Sequence, residues 1–339
     1  MLDVAKRAGV SISTVSYVLS GTRPVSEKTK RLIYQTMEEL GYHPHALARG
    51  LASKRSRIIA LLFSPRERGM GLTEIEFVTN AAEAALDRSY SLVLWNTRVD
   101  DADHLRELTR QRLVDGVILM EVRSHDERVA VLREAGTPFT MIGRCENNAG
   151  LSYADIDFDQ LTREVVVYLA GLGHEKIAFL NQSREIFESG YGPAVRAYEG
   201  FRKAVSEAGL EEVVAFSHAT PADGYECCRR LLADNSDLTA LVAMNDRALP
   251  GVVKAVGERG WHIPADFSLV SIVSSSRTAE LFVPPLTTME MPGKELGRLG
   301  VEQLIRHLEQ PGGEVAQVLV PCTLVKRGSS ASRRLRAAK

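Results

Sequence analysis

Two patterns of apolar positions divide the chain. Up to about residue 57 the apolar residues sit at helical spacing in three short runs. The first, 3–8, turns Val4 and Ala5 inward and ends at Gly9, a helix stop. Val10 follows as a staple, and Ser11 is placed to cap a second helix over 12–19. Val15, Val18 and Leu19 form its inner face, leaving Ile12, Ser13, Ser16 and Tyr17 outside. A third helix is predicted from Ser26, its cap, to Leu40, with Leu32, Ile33, Met37 and Leu40 on one stripe and Gly41 as its stop. Two helices joined by a turn of a few residues have the spacing of a helix-turn-helix. Past Arg57 the pattern changes. Short unbroken apolar runs at 58–63, 91–95, 116–120, 139–142, 176–180, 213–216, 240–244 and 268–273 read as buried strands. Helical segments at 75–88, 103–112, 160–171, 194–208, 224–232 and 248–259 lie between them. Buried strands alternating with helices predict parallel sheets covered on both faces. There are too many for one sheet, so two subdomains are expected, with a ligand cleft at the carboxyl ends of their strands.

A length of 339 residues fits two or three domains, and 45% apolar with 25% charged residues is ordinary globular composition. Charge changes the picture more. Residues 1–57 carry ten Lys or Arg against four acids, a net of +6, while the remainder is −7. A basic helical head on an acidic body points to a polyanionic partner for the head. No apolar run reaches the ~20 residues that span a bilayer, and the start MLDVAKRAGVS lacks the apolar core of a secretory signal. A cytoplasmic protein is expected. Cys145, Cys227, Cys228 and Cys322 form no C-x-x-C pair, so reduced and mostly buried thiols are expected, without a metal. H-E-x-x-H, Walker and G-x-S-x-G motifs are absent, and no cofactor loop is present. An enzyme on this α/β frame is therefore the weakest reading, and a plain small-solute-binding protein is set aside because of the basic head. Asp100, Asp101 and Asp103 are read as a helix cap rather than a metal site, and His174 as a packing residue.

The order D-V-A-x-x-A-G-V-S-x-x-T-V-S, then V-S-x-x-T, L-G-Y-x-P and A-R-x-L, resembles the head of the lactose/galactose-repressor (LacI/GalR) family. The likeness continues through LVDGVILM, LGHEKIAFL, NDRAL, ERGWHIPADFSLV, PPLTTMEMP and LGRLGVEQL to VPCTLVKRGSS, covering roughly residues 2–330. It implies an all-α helix-turn-helix head with a hinge helix, joined to an α/β body of two doubly wound parallel-sheet subdomains similar to periplasmic sugar-binding proteins. It also implies a transcriptional regulator, usually a repressor, binding a pseudo-palindromic DNA operator as a homodimer under control of a small ligand such as a sugar. The expected boundaries are 1–44 for the head, 45–56 for the hinge and 57–330 for the body, with 331–339 as a tail. Within the body, 57–155 with 276–305 is expected to form one subdomain and 156–275 with 306–330 the other.

By the same resemblance, Ile12, Ser13 and Tyr17 would face base edges, Ser11, Ser16, Ser26, Thr29 and Tyr42 would hold the DNA backbone, and Thr14 would also contact DNA. In the hinge, His45 and Ala48 would lie on DNA and Leu51 would wedge into a base step of the minor groove. Tyr17 stands where an Arg is frequent, and lacks the bidentate grip on guanine that an Arg has. Ser64, Arg196, Asn245 and Asp246 are the expected effector contacts. Two departures bear on the ligand. Arg196 is one residue further from Gly200-Phe201 than in relatives, and SLVSIVSSS places Val273 and Ser274 where relatives carry a hydroxyl-binding Asp. The closing SASRRLRAAK lacks the leucine heptads of tetrameric relatives.

Overall fold

The computed structural model describes residues 1–20, 23–42, 55–63, 70–95 and 101–333. The expected hinge lies outside these residues apart from Arg55 and Ser56, as do Ser64 and most of the tail.

The head consists of α1 (Leu2–Ala8), α2 (Ile12–Ser20) and α3 (Glu27–Glu39). Its boundaries follow from local chemistry. Gly9 closes α1 at φ 66°, a left-handed conformation that a side chain would strain. The Ser11 hydroxyl accepts the Thr14 amide at 3.1 Å and that of Ser26 accepts the Thr29 amide at 3.3 Å, each satisfying a first-turn N–H. Val4, Ala5, Ala8, Val15, Val18, Ile33 and Met37 form one small core. The stripe on α3 is narrower than expected. Leu32 and Leu40 are 45% and 43% exposed, because the buried line runs through Ile33, Thr36 and Met37.

The body holds two six-stranded sheets. The first contains β1 (Ile58–Leu62), β2 (Ser91–Trp95), β3 (Gly116–Leu119), β4 (Phe139–Ile142), β5 (Tyr153–Ile156) and β11 (Gln317–Val320), in the order β11-β5-β4-β3-β1-β2 and parallel throughout. The second contains β6 (Ile177–Asn181), β7 (Val213–Phe216), β8 (Ala240–Ala243), β9 (Ser268–Ser271), β10 (Thr287–Glu290) and β12 (Thr323–Val325), in the order β12-β10-β9-β8-β6-β7. Only the β10–β12 pair in it is antiparallel. Helices α4 (Leu72–Asp87), α5 (Ala102–Arg110) and α6 (Glu127–Glu134) belong to the first unit. The second holds α7 (Phe158–Gly171), α8 (Arg184–Glu188), α9 (Gly192–Glu207), α10 (Pro221–Asp234), α11 (Leu249–Glu258) and α12 (Ser276–Glu280). The last helix, α13 (Gly293–Glu309), crosses back to pack on α4, β3, β4 and β5.

The division of segments differs from the expected one at two strands. β10 lies in the second sheet, where Thr287 and Thr288 pair with Val270 and Ser271, although 276–305 was assigned to the first unit. β11 pairs with β5 in the first sheet, although 306–330 was assigned to the second. β10 (TTME) and β11 (QVLV) are four residues each, and segments this short carry no mark of which of two similar sheets they join. The chain thus crosses between the units three times, after β5, β10 and β11, and each crossing is only a few residues long.

Candidate nucleic-acid interface and effector cleft

On the head, the start of α2 is the exposed end of a packed element. Ile12 is 46% exposed although apolar, and Ser13 beside it is open to solvent. The Ser11 hydroxyl lies 2.7 Å from that of Ser13 and 2.8 Å from that of Thr14, so three hydroxyls cluster at the helix N-terminus. Ser16 and Tyr17 are half-buried one turn on, and the Arg23 guanidinium stacks over the Tyr17 ring at 5.1 Å. Ser26 and Thr29 form the corresponding pair at the start of α3, their hydroxyls 2.8 Å apart, with Lys28 and Arg31 exposed beside them. Tyr42 is anchored by its amide on the Met37 carbonyl at 2.8 Å. Exposed hydroxyls, helix N-terminal amides and cations on one small unit are the equipment for phosphates, and an exposed apolar residue beside them suits a thymine methyl.

In the body, a cleft of about 790 Å³, including its open mouth, lies between the two units. Its walls come from residues just beyond strand carboxyl ends: Phe63 after β1, Met120 after β3, Gly143 after β4, Gln182 after β6 and Met244 after β8. Asp246 lines it, as expected. Arg196 and Asn245 are not among its lining residues. Asn245 is buried and donates to the carbonyls of Ser217 at 2.8 Å and His218 at 3.3 Å, so it holds the turn that presents Asp246. Arg196 reaches across from α9 to Asp155 on β5 at 2.9 Å and to the Arg144 carbonyl at 3.2 Å. Arg144 stands 3.6 Å from the same carboxylate. Burial pushes the Asp155 carboxyl up and the Arg196 guanidinium down, against their mutual attraction. Arg196 thus clamps the first crossing between the units and does not line the cleft.

The replaced acidic segment is equally distinct. Val273 lines the cleft, while Ser274 is buried with its hydroxyl 2.7 Å from that of Ser271. Ser275 caps α12 through the Thr278 amide at 3.4 Å. Glu121, also in the wall, adopts φ 52°, a left-handed conformation that is costly for a residue with a side chain. Gln182 and Glu121 are cleft residues that the sequence reading did not select. Position immediately after a strand was the available signal.

No group of three or more His, Cys, Asp or Glu among the described residues is placed to hold a metal, and Asp101 caps α5 by accepting the His104 amide at 2.9 Å. All four cysteines are free, and burial pushes the Cys145 and Cys228 thiols up to about 11 and about 12, far from a reactive thiolate. No helix among the described residues is long and apolar enough to cross a membrane.

Residues 1–45 match the model of bacterial regulatory proteins of the lacI family, and residues 166–330 that of the periplasmic binding protein-like domain. Over 341 residues the chain is 31% identical to the HTH-type transcriptional repressor PurR of Pasteurella multocida, covering 98% of each protein. It belongs to the LacI family of bacterial regulatory proteins. The structure of the transcriptional regulator CelR in complex with cellobiose is 27% identical, with a TM-score of 0.72 over 96% of this chain and 98% of that one. The lac repressor dimer bound to operator and the anti-inducer ONPF has the same fold, with a TM-score of 0.83 at 24% identity, over 97% of this chain and 98% of that one. As a LacI-family member the chain is a DNA-binding transcriptional regulator under ligand control, not an enzyme.

Proposed function

We propose that this chain is a cytoplasmic homodimeric repressor of a pseudo-palindromic operator, released or tightened by a small ligand in the cleft. Two heads placed by one dimer read two half-sites, with Ile12, Ser13 and Tyr17 on base edges. Ser11, Thr14, Ser16, Ser26, Thr29 and Tyr42 hold phosphates and fix register. The hinge residues His45, Ala48 and Leu51 complete the contact in the minor groove, with Leu51 as the wedge. The observation that carries this reading is the exposed, hydroxyl-rich start of α2 on a basic head, separate from a body with a preformed cleft. Exposed Val93 and Leu94 on β2, Leu72 and Ile75 on α4, and Leu281 and Val283 support pairing of two bodies. Ser64 and Asp246 contact the ligand in this account, while Asn245 and Arg196 position the walls.

Ligand control requires that the cleft bind one arrangement of the two units better than the other. The Arg196–Asp155–Arg144 cluster sits at the first crossing and ties α9 to β5, so it senses their relative angle. The expected test is removal of residues 1–56. The remaining body is to stay dimeric and lose all DNA binding. Retained DNA binding would place the interface elsewhere. Leu51→Ala in the full chain is to weaken operator binding while leaving dimerisation intact, and unchanged affinity would remove Leu51 from the contact.

A further inference from the structure

The six strands of the first sheet are parallel, so their starts lie along one edge. Backbone bonds tie that edge together: the Ser91 amide donates to the Arg57 carbonyl at 2.8 Å and the Asp115 amide to the Ile58 carbonyl at 2.7 Å. Helices α4, α5, α6 and α13 each end shortly before the next strand of this sheet, so their carboxyl ends gather at the same edge. The head joins here too, since Arg57 immediately precedes β1. The two faces behind the edge are distinct. Ile59 and Leu61 pack with Phe77 of α4 and Leu304 of α13, while Ala60 and Leu62 pack with Leu105 of α5 and Leu132 of α6.

Most cations of the edge are engaged. Arg55 donates to the Leu308 carbonyl at 2.9 Å, Arg57 stacks over the Tyr90 ring at 4.9 Å, Arg88 stands 3.6 Å from Glu302 and Arg133 donates to the Ala149 carbonyl at 2.8 Å. Asp115 is taken up by the Ser56 and Arg57 amides at 2.6 and 3.0 Å. Arg110 and Arg112 differ. Both are exposed, and neither guanidinium has an ion pair or hydrogen bond among the described residues. With Arg106, which reaches Asp103 at 2.8 Å and Glu134 at 4.0 Å, they line a groove of about 780 Å³, including its open mouth, between the ends of α5 and α6. Glu134 is the one acid in its wall, and the exposed acids Asp87, Glu309 and Glu314 belong to the α4–α13 side. The helix dipole favours a cation in a last turn, which accounts for Arg110 at the end of α5. It does not account for Arg112, which stands past the helix at φ 51°, a left-handed conformation that is costly for a residue with a side chain.

We propose that this groove seats a backbone phosphate of the operator duplex through Arg110 and Arg112, so that the body holds DNA together with the head and hinge. This rests on the reading of the hinge as a minor-groove contact. With Leu51 on the duplex, the six residues from there to Arg57 span at most ~20 Å, which brings the strand-start edge against the DNA. A duplex carries one negative charge per ~1.7 Å of its axis, so whatever segment passes the groove offers a phosphate. Guanidinium forks match phosphate oxygens bidentately, and these two have no partner to give up. Such a contact adds affinity without reading sequence. Alone it is too weak to hold DNA, in keeping with the loss of binding expected when residues 1–56 are removed.

The test uses the full chain. Arg110→Gln/Arg112→Gln is titrated by fluorescence anisotropy against the duplex from the protein's own upstream region and against the same duplex scrambled, over a range of salt. Affinity for both is expected to fall by one factor, at least ~10-fold at about 0.1 M salt, because a phosphate contact holds any sequence. The dependence of log affinity on log salt is expected to become shallower by ~2, at ~0.9 for one phosphate lost in each of two half-sites. Arg112→Gln alone is expected to show a smaller change of the same kind, and Arg110→Lys/Arg112→Lys, which keeps both charges, to recover most of the slope. Arg202→Gln/Arg230→Gln makes the same change in net charge at exposed positions of the second unit and is expected to leave the slope as it is. Circular dichroism melts and sedimentation verify folding and dimerisation. Should the double variant fail to fold, Arg112→Gln decides alone. Unchanged affinity and slope in a folded dimer, an equal change in the second-unit pair, or a loss that comes with dissociation into monomers would each overturn the proposal. Leu51→Ala on the same duplexes reports separately on the hinge: unchanged affinity there removes the wedge, while a slope lowered by Arg110→Gln/Arg112→Gln still places the body on DNA.

Discussion

Replacing Ile33 by Ala separates the stability of the head from its chemistry. Ile33 is fully buried at the centre of a core of only seven buried residues, shared by α1, α2 and α3. Removing its branched side chain costs roughly 2–5 kcal/mol, the range for Ile→Ala in cores. A unit of about 40 residues at typical stability per residue has only ~2–6 kcal/mol in total. The substitution therefore takes most or all of the head's stability and leaves the folded head a minor species. Apparent operator affinity falls with the fraction of competent heads, about tenfold for each ~1.4 kcal/mol, and the loss is felt in both protomers. Hydrogen exchange is expected to show α1–α3 losing protection while β1–β12 keep theirs, with operator affinity, by fluorescence anisotropy, down at least ~10-fold. Ile12→Ala is the counterpart. At 46% exposed, Ile12 adds little to packing, so the head stays protected and only the preference for operator over scrambled DNA falls. Full operator affinity in Ile33→Ala, or loss of head protection in Ile12→Ala, would refute the assignment of one residue to the core and the other to the contact.

Further outcomes concern the body. His174 is buried with its ring nitrogens 2.9 Å from the Thr239 hydroxyl and 3.0 Å from that of Ser268, and burial lowers its pKa below 6.5. A depressed folded value means the unfolded chain binds the proton more tightly. The His174 contribution is complete above pH 6.5 and is lost as the pH falls through the folded value. Urea unfolding of the body is expected to show stability falling from pH 7.5 to 5, with a shallower fall in His174→Gln; parallel profiles would exclude it as the cause. Gly251→Ala would place a methyl 1.8 Å from the Pro221 carbonyl oxygen, backbone against backbone where α10 meets α11. A loss of ~1–3 kcal/mol or more is expected in the same unfolding assay, and a neutral result would mean the two helices separate freely. Asn245→Ala removes the donor shared by the Ser217 and His218 carbonyls and is expected to destabilise by ~1–3 kcal/mol. Normal stability with selective loss of ligand binding would instead return Asn245 to direct contact.

Much of this architecture is legible in the sequence wherever one residue has one physical job. Gly9, Ser11 and Ser26 mark helix ends by their own chemistry, and the ends of β2, β4 and β7 coincide with the ends of apolar runs. The sequence pattern gives no sign of α6 and β5 because charges are buried in them. Arg128 in α6 is 1% exposed and pairs with buried Asp126 at 2.7 Å, and Asp155 interrupts the four-residue β5. Read by hydropathy alone, both segments resemble surface. The cleft is legible in outline, since ligand sites gather at strand carboxyl ends, and Asp246 lines it. Its particulars depend on partners far away in sequence. Whether Arg196 faces a ligand or Asp155, and whether Asn245 faces a ligand or two carbonyls, is decided by packing between segments 27 to 41 residues apart. Gln182 carries no signal in its own type, and its amide is held by the Met244 carbonyl, 62 residues away in sequence.

The central claim, that this head reads a sequence, is tested most directly by titrating the full protein against a fluorescent duplex from its own upstream region and against the same duplex scrambled, both at physiological salt. The account predicts tight binding to the native duplex, with a palindromic footprint, and binding to the scrambled one weaker by at least ~10³-fold. Equal affinity for the two, falling steeply together as salt rises, would mean that charge alone holds the DNA and would contradict it.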